Sequence, residues 1–110
     1  MSQNQTNVNF NIIPLMTTNM TKLTGAERAW MLWHLHANNV TPDLVTVEIH
    51  AGDVDKPAIE TLLITLVLPP NTSDSVPVSL SQISFAAGKS LYAKASVANK
   101  ANVVINTEVL

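Results

Sequence analysis

The chain has 110 residues, enough for one small domain and too few for two domains or a TIM barrel. It has no cysteine, which excludes a disulfide framework and thiolate metal sites. A net charge of -2 leaves no basic field for nucleic acid, and 46% hydrophobic residues exclude wholesale disorder.

Residues 1–19 form an N-terminal tail and 20–110 a single domain. The first twenty-one residues contain no Lys or Arg, so the positive start of a secretory signal is not expected. Residues 1–7 are polar and expected to be loose. Val8-Asn9-Phe10-Asn11-Ile12 then alternates apolar and polar, the period of a half-buried strand, and Ile13-Pro14 ends or edges it. Val8, Phe10, Ile12, Ile13 and Leu15 make a tentative protein interface, an arm that adds a strand to a neighbour's sheet edge. Pairing within its own domain suits the same residues, and the sequence leaves both open.

Residues 24–37 are ambiguous. Thr24-Gly25-Ala26-Glu27 has the form of a capping box, and Arg28 to Ala37 contains no β-branched residue, so local propensity favours a helix. Read as a strand, the segment sets Met31, Trp33 and Leu35 against Trp30, Leu32, His34 and His36. It then makes a hairpin with residues 44–51 through Asn38 to Asp43. On residues alone the two are balanced.

The remainder reads as strands. Val45, Val47 and Ile49 alternate with Thr46, Glu48 and His50. Glu60 to Leu68 is nearly continuously apolar, as in a strand covered on both faces, and far short of the roughly 18 residues that span a bilayer. Pro69 to Asp74 is a loop by composition, and Val76 to Leu80 an edge segment because of Pro77. Leu91, Ala93, Ala95 and Val97 alternate with Tyr92, Lys94 and Ser96; Val103, Ile105, Thr107 and Val109 share one face of the last strand. These two strands are expected to form a hairpin. Turns about every 8–14 residues predict an all-β fold, an antiparallel sandwich of about seven or eight strands, jelly-roll or immunoglobulin-like.

Chemistry is sparse. His34 and His36 share a strand face, a spacing that can suit a metal. In the expected hairpin His34 lies opposite Val47, His36 opposite Val45 and His50 opposite Met31, so the three histidines do not converge and no metal site is expected. Asp53 and Asp55 read as a solvated turn. There is no Gly-x-Ser-x-Gly elbow and no Gly-rich phosphate cradle. No enzyme activity and no cofactor is expected. Read as a strand, the segment projects Trp30 and Trp33 to opposite faces, one to the core and the other to a neighbour or a second sheet, and both join the tentative interface. A flat sugar platform is thus disfavoured, although a carbohydrate-binding module at a host-contact site stays as an alternative. Only 13% of residues are charged, against about 25% in a typical domain; a surface of Asn, Thr, Ser and Ala is cheaper to bury against neighbours.

The stretch Ile83 to Val97, with its Ala87-Gly88 turn and Ala95-Ser96 ending, followed by Asn102-Val103-Val104-Ile105-Asn106, resembles small virion proteins of tailed bacteriophages. So do Trp30 to Asn39 and Thr46-Val47-Glu48-Ile49-His50; the resemblance covers residues 20–110. It implies a strand rather than a helix at 28–37, and a β-sandwich structural subunit. It implies most directly a capsid decoration (cement) protein, or else a neck or tail component. The expected partner is the major capsid protein, the expected form a homo-oligomer with a trimer favoured. The location is the virion, assembled in the host cytoplasm, with neither nucleic acid nor membrane as partner.

Overall fold

The structure is a computed structural model and describes residues 8–110 apart from 26–27, 54–55 and 76–81. The described residues form nine strands and no helix: β1 (Val8–Leu15), β2 (Thr21–Gly25), β3 (Trp30–Asn39), β4 (Val45–Asp53), β5 (Lys56–Leu68), β6 (Ser73–Ser75), β7 (Ile83–Phe85), β8 (Lys89–Ala95) and β9 (Ala101–Val109). The expected edge segment Val76 to Leu80 lies outside the described residues, as does Asp55.

All pairings are antiparallel and they are nested. β4 pairs with β5, β3 with β6 and β7, β2 with β8, and β1 with β9. The chain is thus doubled back on itself about the β4–β5 connection. The doubled ribbon is then rolled, so that β9 also lies against β3 and β8 against β4. Two sheets result: a first sheet β1-β9-β3 with β6 and β7 along the free edge of β3, and a second sheet β2-β8-β4-β5. With β6 and β7 counted as one interrupted strand, this is the eight-strand order of a jelly roll. Trp30 to Ala37, where local propensity favours a helix, are strand: β3 is paired along both edges, and long-range pairing overrides a weak local preference.

Two expected hairpins are not formed. β3 does not pair with β4, and β8 does not pair with β9; each couple is split between the two sheets. The connections are corners from one sheet to the other. The β8–β9 corner is turned by Asn99 at φ 60°, a left-handed position that Asn tolerates, and its backbone N–H donates to the Leu15 carbonyl at 3.0 Å. The β3–β4 corner is pinned by Asn39, whose side chain is fully buried. Its Nδ2 donates to the carbonyls of Asp43 (2.6 Å), Leu68 (3.0 Å) and Pro69 (3.2 Å), and its Oδ1 accepts from the N–H and hydroxyl of Thr41. One amide therefore ties the corner to the end of β5. A buried polar group pays its desolvation only when bonded in this way.

The core lies between the sheets. Leu35, Ala37, Val103 and Ile105 come from the first sheet; Val45, Val47, Ile49, Leu66, Leu68, Leu91, Ala93 and Ala95 come from the second. Each fully buried Val, Leu or Ile contributes about 1.5–3 kcal/mol. Trp30 closes one end, stacked on Phe85 with ring centroids 4.5 Å apart, its Nε1 donating to the Lys89 carbonyl at 3.0 Å.

Candidate interaction face

The outer face of the first sheet collects the chemistry that the sequence singled out. β1 runs along β9 in unbroken register from Val8 opposite Glu108 to Leu15 opposite Ala101. In the structure this segment is thus an edge strand of its own domain. Residues in register share a face, so Phe10, Ile12 and Pro14 point outward with Asn106, Val104 and Asn102. β3 adds His34 beside Asn106, His36 beside Val104 and Asn38 beside Asn102. Pro14 fits only because β1 is an edge.

A bulge in β3 sets which residues join them. Leu32 pairs with Thr107 and His34 with Asn106, so two steps along β3 match one along β9 and Trp33 is the extra residue. Before the bulge Trp30 and Leu32 face the core; after it Leu35, Ala37 and Asn39 do. Trp33 and Leu35, expected on one face, are therefore on opposite faces. His34 and His36 stay together on the outside.

The tentative interface residues divide accordingly. Phe10 is 61% exposed, Ile12 60% and Trp33 40%, all on the outer face. Leu15 and Trp30 are each 1% exposed and belong to the core, so neither is available to a partner. Ile13 is half-buried and packs against the core; Val8 joins β1 at its first residue. The opposed projection of the two tryptophans is observed, with Trp30 inside and Trp33 outside. Val104, Met31 and Asn38 complete the face and were not singled out by the sequence; only the β9–β3 pairing reveals them.

The face is cross-linked by its own polar groups. Trp33 Nε1 donates to Glu108 Oε1 at 2.8 Å, and Asn38 Nδ2 to Asn102 Oδ1 at 2.8 Å. His34 Nε2 and His36 Nδ1 lie 3.0 Å apart. Burial, and secondarily the His34 imidazole, hold His36 below the ordinary histidine value. None of the chain's Lys or Arg residues lies in a strand of this sheet, and Glu108 is the one carboxylate on its outer face among the described residues.

The third histidine lies elsewhere. His50 is on β4 in the second sheet, nearly buried, with Nε2 2.9 Å from Glu48 Oε1 and Nδ1 without a bond partner. The three histidines do not converge, as expected, but the cause is the separation of β3 and β4 into different sheets. Among the described residues no three His, Asp or Glu side chains converge as metal ligands.

No protein-family model matches the chain, and no curated protein matches it. Similar folds occur among solved structures. PirA superimposes with a TM-score of 0.51 at 6% identity, over 100% of this chain and 99% of that chain. The Drosophila NLP core, whose structure concerns pentamer formation and histone binding, gives 0.49 at 8% identity, over 91% of this chain and 96% of that chain. At such identities the likeness to PirA is one of fold alone.

Proposed function

We propose that this protein is a non-enzymatic structural subunit of a tailed-phage particle, a capsid decoration protein that binds its neighbours through the outer face of the first sheet. The observation that carries the proposal is that face: Phe10, Ile12 and Trp33 are exposed there, Ile12 opposite Val104, with no Lys or Arg in any strand of the sheet. Contiguous exposed apolar surface with few charges marks an interaction site, whereas single exposed apolar residues do not. The resemblance over residues 20–110 supplies the setting. Jelly rolls are common in viral capsid and lectin domains, which supports the same setting by analogy of fold. The partner is the major capsid protein or further copies of this chain, in a symmetric oligomer with a trimer favoured.

Antibody labelling of purified particles, viewed by negative-stain electron microscopy, tests the proposal. Label over the whole head is the expected result. Label confined to the neck or tail replaces decoration with the neck or tail role. Absence of label from particles opened as well as intact, with a working antibody, removes the virion role altogether.

A further inference from the structure

His34 and His36 are paired in a way the fold does not require. Both project from the outer face of β3, half-buried, away from the core that defines the sandwich. Their rings are not stacked: the centroids are 5.1 Å apart and the planes are tilted by 51°. Their closest approach is nitrogen to nitrogen, His34 Nε2 to His36 Nδ1 at 3.0 Å. Between two neutral imidazoles one proton bridges that gap.

The same gap fits an ion. Two nitrogens each about 2.1 Å from one metal lie about 3.0 Å apart when they subtend a right angle, and about 3.4 Å apart at the tetrahedral angle. The observed 3.0 Å matches adjacent positions of a square-planar or octahedral ion. Among ions that imidazole suits, copper(II) and nickel(II) favour that geometry, and copper(II) binds nitrogen most strongly. We propose that His34 and His36 form a two-imidazole chelate for a divalent ion of the copper(II) or nickel(II) kind, with water completing its coordination.

Binding needs no net loss of protons. The bridging proton moves to the other nitrogen of its own ring, and a swing of the two rings turns the facing lone pairs from each other onto the ion. Val104 lies beside His36 and Asn106 beside His34, and no Lys or Arg in the sheet repels a cation there. Glu108, the nearest carboxylate in register, sits beside Met31 and is bonded to Trp33, so it leaves the chelate to the two imidazoles. The pair lies on the face assigned to assembly, but its test needs only the free chain.

Copper(II) chloride titrated into the full chain at neutral pH, in a non-coordinating buffer, tests the site. Paramagnetic resonance of the ion should show two imidazole nitrogens in its plane. The ring signals of His34 and His36 should broaden in the nuclear magnetic resonance spectrum before those of His50. His34→Gln and His36→Gln should each weaken binding by at least about tenfold, since losing a ligand removes no less than losing a supporting group does. His50→Gln should leave it unchanged. All three variants should keep the wild-type circular dichroism, which separates ligand loss from unfolding. Nickel(II) should bind the same residues more weakly. If His50 broadens first, or if His34→Gln combined with His36→Gln binds copper as the wild type does, the chelate is excluded.

Discussion

The two outer faces of the sandwich are built from similar strands and carry opposite chemistry. On the first sheet Phe10, Ile12, Val104, Met31 and Trp33 surround two imidazoles and the bonded Asn38–Asn102 pair, and the single carboxylate is engaged by Trp33. On the second sheet Lys22, Tyr92, His50 and Leu62 lie in one row across the strands, and Lys94, Glu48 and Thr65 in the next. Charges of both signs stand there, Lys22 and Lys94 with Glu48, and the exposed Leu62 and Val67 are separated by Thr65. The scarcity of charge in the composition is therefore not spread evenly: it is concentrated on one face. A mixed-charge face is what keeps proteins apart in water. A face with a single carboxylate costs little to desolvate, which is what the proposed covering of the first sheet requires.

Substitutions can sharpen or break this contrast. The largest effect belongs to the inward side of the first sheet. Trp30→Ala should cost about 3–5 kcal/mol, the usual range for removing a buried aromatic side chain, whereas Trp33→Ala should cost less than about 1 kcal/mol. Urea titrations measure both; equal losses would mean that Trp33 is part of the core. Next comes the corner. Asn39→Ala removes five hydrogen bonds, among them the buried one to the Leu68 carbonyl. A loss of about 3 kcal/mol is expected, and with it a fall in melting temperature of roughly 10–20 °C. Both faces should melt in that single step, because the corner joins the sheets. Smaller still in stability, but large in binding, is the double change Phe10→Asp and Ile12→Asp. It should weaken attachment to the particle by about a hundredfold, as the loss of a central apolar anchor does, and alter stability by only about 0.5 kcal/mol. Leu62→Asp with Val67→Asp, on the opposite face, should leave attachment unchanged. If the second pair matters and the first does not, the binding face has been assigned to the wrong sheet.

Much of each strand was legible because alternation reports which side chains face inward. Val45, Val47 and Ile49 against Thr46, Glu48 and His50 is the observed division of β4, and Val103, Ile105 and Thr107 is that of β9. Alternation says nothing about partners. Chain neighbours were expected to pair because short loops favour hairpins, yet Asn39 and Asn99 turn corners between sheets, and the pairs that form join residues as distant as Val8 and Glu108. The outer face needed that information, since Phe10, Asn106 and His34 meet only through β9. The bulge at Trp33 was equally hidden: one extra residue reverses every later side chain on the strand, and no residue type announces it. Propensity misled at 28–37 for a related reason. Trp, Met, Leu and His are tolerated in helices, but here both edges of the segment are taken by other strands.

The histidine pair offers the finest test of the contrast, because it measures how far one face is withdrawn from water. His36 titrates below its ordinary value of 6.5, chiefly through burial and secondarily through the neighbouring His34. The unfolded chain therefore takes up that proton more readily than the folded one, and stability must fall wherever the unfolded state binds more protons. The contribution is complete above about pH 6.5 and is lost as the pH drops through the folded value. Unfolding free energies measured in urea between about pH 8 and about pH 5 should decline with acid in the wild type and decline less in His36→Gln. The difference between the two curves isolates His36 from the carboxylates, which titrate lower. If the curves run parallel, His36 is as well hydrated as a free imidazole, and the outer face of the first sheet is not the dry surface that its lack of charge implies. If they converge as the pH falls, the face resists protonation on its own, before any partner covers it, and a covering partner should resist it further.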